Sequence, residues 1–194
     1  MAAIATDTIK TACGIIATTI SVISFFPYLK DIFRKKTHPH SYTWLIWTIL
    51  QVTGVVAMFN NGAGIGALAL TVGAFFCAFI FLLSLKYGTK NITTFDTACL
   101  IGALAAIAVY AFLHNPVLSV ILITIIDFVG FLPTLRKAYS EPYSETLSLF
   151  VLGVIWSTFN IVAISTYSIT TTLYPSCILF ANMVCCCVLW ARRK

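Results

Sequence analysis

Apolar runs of about twenty residues alternate with short polar breaks along the whole chain. This pattern predicts seven helices, at about 9–33, 42–60, 63–86, 95–113, 116–137, 145–167 and 170–191. Each is close to the ~20 residues needed to cross a hydrocarbon core. The breaks carry turn residues: KTHPH after the first run, NNGAG after the second, KYGTKNITTFD after the third and HNP after the fourth. The sixth and seventh runs meet near 168–172. In lipid every backbone N–H and C=O must be satisfied within the segment, which favours helices. The fold expected is therefore an all-α membrane protein with seven transmembrane helices.

Composition agrees: 60% of the 194 residues are apolar and only 9% are charged, too few charges for a soluble domain of this size. The amino terminus lacks a basic segment followed by a short apolar core and a cleavage site, so no signal peptide is expected to be removed. The net charge of +6 could suggest a nucleic-acid partner, but its distribution argues for topology instead. Eleven of the twelve Lys and Arg fall after helices one, three, five and seven, and only Lys10 lies on the other side. The positive-inside rule makes the cation-rich face cytoplasmic, with the amino terminus outside. The localisation expected is a multi-pass protein of the plasma (inner) membrane, with the lipid bilayer as a partner and no nucleic acid.

Part of the chain is repeated. FFPYLKDIFRKKTHPHS from Phe25 and FLPTLRKAYSEPYS from Phe131 share Phe, a bulky residue, Pro, any residue, Leu and a cation, then a charged loop ending in Pro-x-Ser. Pro27 and Pro133 are 106 residues apart, as are Lys30 and Arg136, and Lys86 and Arg192. Residues 1–88 and 115–194 then form two triple-helix bundles. Because three is odd, a linker helix within 89–114 is needed to keep them parallel, a known transporter design.

SFFPYLKDIFRKK and GFLPTLRK resemble the motif of the PQ-loop and SWEET/SemiSWEET transporters, with Tyr28 and Thr134 in place of Gln. LGVIW, ending at Trp156, and LFANMV, containing Asn182, resemble the stretches that carry that family's pocket Trp and Asn. The resemblance covers helices five to seven well and one to three more loosely. It implies two parallel triple-helix bundles around a central substrate site.

A count of residues from the loops tests this independently. At 1.5 Å per residue, Asp127, Trp156 and Asn182 lie ~13–17 Å from the cytoplasmic surface, near the midplane. Ser21 matches Asp127 in depth and register, Gln51 lies ten residues after Ser41, and Asn160 is expected nearer the outer face. Polar groups from several helices thus converge where alternating-access carriers bind solutes.

A carboxyl at the midplane must face the bundle interior, be paired or carry a proton. No Lys, Arg or His shares the depth of Asp127, so it reads as a proton-coupling or substrate-amine group, the alternative being an acid that bonds helices together. Trp156 offers a stacking wall and Asn182 an orienting amide, against ordinary packing and interhelical bonding. Phe76 stands at the register of Asn182 in the first unit, so the site should be asymmetric. Pro27 and Pro133 each remove a helix hydrogen bond and read as hinges of an inner gate flanked by Tyr28 and Thr134.

The remaining features read as structural. Gly62, Gly66, Ala69 and Gly73 have small-xxx-small spacing for close helix approach. The seven Cys have neither zinc-ligand nor CxxC spacing. His38-Pro39-His40 reads as a solvated loop, and Trp44 and Trp190 as interface anchors. Glu141 and Glu145 are expected to pair with Arg136 and Lys137 or to cap helix six.

The function expected is transport of a small polar solute, such as a sugar, an amino acid or a related metabolite, by alternating access. No cofactor is expected beyond a proton as coupling ion, and a homo-oligomer is allowed. The alternative is a receptor or sorting protein of the same fold that binds a small ligand or peptide without moving it. No catalytic or metal motif points to an enzyme.

Overall fold

The computed structural model describes residues 2–60, 68–110, 112, 115–164 and 166–193. Among them are seven α-helices and no strand: α1 (Ala2–Phe33), α2 (Ser41–Asn60), α3 (Leu68–Tyr87), α4 (Thr94–Tyr110), α5 (Pro116–Ser140), α6 (Leu147–Val162) and α7 (Ile169–Arg192). Three stretches, Thr8–Phe33, Val117–Ser140 and Thr171–Arg192, are long and apolar enough to cross a membrane. Phe75, Leu82, Ile101, Ile125, Phe180 and Trp190 are each more than half exposed on the outside of the molecule. Helices that are apolar on their outer face suit a lipid surround.

Local chemistry sets the ends of the helices. Asn115 caps α5 by accepting hydrogen bonds from the Val117 and Leu118 N–H groups, with Pro116 in the first turn where no donor is required. A capping box between Ser168 and Thr171 opens α7. Other boundaries differ from the periodic reading. Helix α1 begins at Ala2, before residue 9, and α5 runs on to Ser140, where Pro142 stops it and opens a 3-10 turn over Pro142–Ser144. That turn delays α6 to Leu147, and α6 ends at Val162 rather than 167, with the Tyr167 hydroxyl donating back to the Ile161 carbonyl. The NNGAG break with Gly62 and Gly66 lies outside the described residues, as does the side chain of Ala69.

The packing order is the same in each triple of helices. Helix α3 packs against both α1 and α2, whose backbones stay apart, and α7 packs against both α5 and α6, whose backbones also stay apart. Helix α1 then closes on α6, and α2 on α5, so six helices form a ring. Helix α4 lies outside it, against α5 and α2.

The cation-rich loops gather at one end. His38 N donates to Ser144 O at 2.9 Å, Thr89 N to Pro39 O at 3.1 Å and Arg193 Nε to Pro142 O at 3.0 Å. At the other end Lys10 lies 5.5 Å from the centre of the Tyr167 ring.

Helices α2 and α5 meet at Gly130. A Cβ there would stand 2.7 Å from Ile46 Cγ2 and 3.2 Å from its Cβ, and Ile46 is fully buried. Gly130→Ala is expected to destabilise the protein by ~1–3 kcal/mol through overpacking. Thermal unfolding in detergent measures this, and an unchanged midpoint would contradict the close α2–α5 approach.

Three loop readings are corrected. His38-Pro39-His40 is not a solvated loop: Pro39 and His40 are buried and His38 is half-buried, because the loops from the two triples interlock over them. Trp44 is not an interface anchor but a core residue whose indole N–H donates to the Tyr28 hydroxyl at 3.2 Å. Lys137 pairs with Glu145, as expected, but Glu141 accepts from Asn91 and Arg136 turns to Asp96. The cap of α6 is Thr146.

Candidate functional site: a cavity inside the helix ring

The ring encloses a cavity of about 440 Å³, within the range of small-molecule sites. Ser21 from α1, Gln51 from α2, Asp127 from α5, Trp156 and Asn160 from α6 and Asn182 from α7 all line it. Helix α3 contributes Val72, Gly73 and Cys77. Six polar or aromatic positions picked by counting from the loops thus meet in one space, because each of these helices runs from an end pinned by the same loop cluster.

Two glycines make room for the amides. A Cβ at Gly73 would lie 3.4 Å from Gln51 Nε2, and one at Gly153 would collide with the Asn182 amide. Asn182 Nδ2 donates to the Ile178 carbonyl at 2.9 Å, which steadies the side chain across Gly153. Gln51 Oε1 is buried without a hydrogen-bond partner. Among the described residues that line the cavity there is no Lys, Arg or His, and Asp127 is the only carboxyl. The Trp47 indole N–H faces that carboxyl without closing an aligned hydrogen bond.

Aromatic rings floor the cavity toward the cation-rich end. Phe25 stacks on Phe76 with centroids 4.7 Å apart, Trp44 meets Trp47 edge-on at 5.1 Å, Trp47 stacks on Phe131 at 5.9 Å, and Phe131 meets Phe150 at 6.1 Å. Phe76 is therefore a packing partner where the second triple has Asn182. Beneath the rings lies a buried polar layer. Thr134 donates to Thr43 at 3.0 Å, Thr37 and Thr146 share a bond of 2.5 Å, and Thr146 donates to Asp31 at 3.0 Å. Lys137 lies 2.7 Å from Glu145 and also donates to the His38 and Ser144 carbonyls. Tyr28 and Thr134 sit in these closing layers rather than on the cavity wall, and Pro27 and Pro133 lie beside them within α1 and α5. In the other direction the lining reaches the exposed Thr18 and Val72, and Asn160 near the end of α6.

Sequence reasoning missed Trp44 and Trp47. Trp47 stands four residues before Gln51 and so shares its helix face, a usable signal. It also missed a cluster outside the ring. Arg136 makes two bonds to Asp96, Nε–Oδ1 at 2.8 Å and Nη2–Oδ2 at 2.7 Å, and His40 Nε2 lies 3.4 Å from the same carboxylate. This cluster ties α4 to α5 and to the loop before α2.

Burial lowers the pKa of His40 from 6.5 to about 4, against the opposing pull of Asp96. The folded protein holds this imidazole neutral while the unfolded chain binds a proton below about pH 6.5. Stability is therefore lost as pH falls from the unfolded toward the folded value, by ~3 kcal/mol at most. His40→Gln is expected to flatten the acid limb of a midpoint-versus-pH curve; an unchanged limb would mean that His40 is not its source.

No protein-family model, curated protein or solved structure matches this chain.

Proposed function

We propose that the chain is a seven-span carrier of a small polar solute that works by alternating access in the manner of the SWEET-like transporters. The observation that carries this reading is the cavity within the helix ring, lined by Ser21, Gln51, Asp127, Trp156, Asn160 and Asn182. A largely apolar cavity that gathers a few polar groups inside a ring of apolar helices suits a solute path, because polar groups at membrane depth are costly unless they line water or substrate. The shared packing order, with α3 between α1 and α2 and α7 between α5 and α6, supports two repeated triple-helix modules joined by α4.

With the cation-rich end cytoplasmic, the sealed aromatic and ionic layers are the inner gate and this conformer faces outward. Opening inward separates α1 from α6 and α2 from α5 at that end, with Pro27 and Pro133 as hinges. Asp127 couples the cycle to protons.

Uptake of radiolabelled sugars, amino acids and amines into proteoliposomes, with and without a pH gradient, tests the reading. A carrier moves at least one of them, faster with the gradient. A purified protein that binds a solute but moves none is a receptor.

A further inference from the structure

We propose that the solute is an organic monocation, an amine or guanidine on an apolar body, and that it and a proton occupy Asp127 in turn. The inference rests on the carrier reading and names its substrate class. The wall is unbalanced in charge: it presents one carboxyl and, among the described residues, no Lys, Arg or His. It is unbalanced in hydrogen bonding too. Gln51 Oε1 is a buried acceptor without a donor, while Asn182 Nδ2 is already committed to Ile178 O. Aromatic faces fill much of the remainder, Trp44, Trp47, Phe131 and Trp156 among them, and such faces attract cations.

The groups around Asp127 do not supply its counter-charge. From α7 it is faced by Tyr174 and Cys177, from α3 by Cys77 and from α2 by the Trp47 N–H. On α4 the acid Asp96 is bound to Arg136. A zwitterion would bring a carboxylate that no described residue of the wall is charged to receive, and a neutral sugar would leave the proton on Asp127 where it is, with nothing to exchange for it. A proton or an ammonium each neutralises the Asp127 carboxylate, and both together leave an excess charge at membrane depth. When R–NH₃⁺ enters, the proton on Asp127 leaves to water and the carboxylate takes the ammonium, so the charge of the cavity is unchanged. Solute and proton therefore move in opposite directions, one for one.

Calorimetry on the purified protein in two buffers of different ionisation heat gives affinity and proton release together. The probes are 2-phenylethylammonium, its neutral isostere 2-phenylethanol, and zwitterionic phenylalanine. The cation is expected to bind at least tenfold more tightly than the other two and to release close to one proton. Asp127→Asn should lose both effects, and Asp127→Glu, which restores the acid, should recover the release. Equal affinity for the three probes, no binding of the cation, or proton release that persists in Asp127→Asn overturns the proposal. Cation binding with proton release but no flux in proteoliposomes upholds the inference and removes the carrier; flux of a neutral sugar without proton release does the reverse.

Discussion

Asp127→Asn is expected to abolish gradient-driven accumulation, so that solute inside proteoliposomes rises only to the outside concentration. An amide has nearly the shape of a carboxyl, and Asp127 has no ion-pair partner among the described residues of the cavity wall. The fold therefore loses little, and the melting temperature should stay within a few degrees. What disappears is the exchangeable site. An asparagine cannot hold a proton in one half of the cycle and release it in the other, so nothing links solute movement to the pH gradient. Uptake measured at matched and at opposed pH gradients separates the cases. If the variant still concentrates solute against its gradient when protons drive the wild type, Asp127 is not the coupling group. If it unfolds in detergent, the carboxyl serves mainly to hold helices together.

Asp127 was legible in the sequence because depth in a membrane helix is set by counting. Each residue advances the chain by a fixed rise, and a cation-rich loop marks where the count starts. The same count found Ser21, Gln51, Trp156, Asn160 and Asn182, all of which line the cavity. It could not say which loops touch. Thr37 meets Thr146 across 109 residues and Thr134 meets Thr43 across 91, and no local periodicity encodes such pairs. Trp44 was misread for the same reason. A tryptophan just inside a loop suits a headgroup anchor, and only the placement of Tyr28 from another helix makes it core. His40 read as part of a solvated loop, and nothing in the sequence joined it to Asp96 or to Arg136, which meet at one carboxylate. Helix ends were legible where a cap was spelled out, as at Asn-Pro before α5, and wrong where neither a Gly nor a Pro marks the stop, as after α6.

Lys137→Met is expected to produce the largest loss of stability, ~3–5 kcal/mol near neutral pH, because it strands a buried charge. Lys137 and Glu145 are both buried, 2.7 Å apart, and Lys137 also holds the His38 and Ser144 carbonyls. One ammonium thus joins the loop after α1 to the loop after α5 at the closed end of the cavity. Burial raises the pKa of Glu145, and the neighbouring Lys137 restrains that rise. A carboxyl whose pKa is higher folded than unfolded favours folding most at acid pH, and the benefit is lost as pH climbs from the ordinary carboxylate value through the folded one. Removing Lys137 removes the restraint and pushes that window upward. The deficit relative to wild type should therefore be small below about pH 4 and grow toward neutrality. Glu145→Gln in the same chain should recover most of it, since no stranded carboxylate remains. Unfolding midpoints of the wild type, both single variants and the double variant across this range decide the matter. A deficit that is flat with pH, or that Glu145→Gln does not relieve, would mean that the two orphaned carbonyls, and not the carboxylate, depend on Lys137.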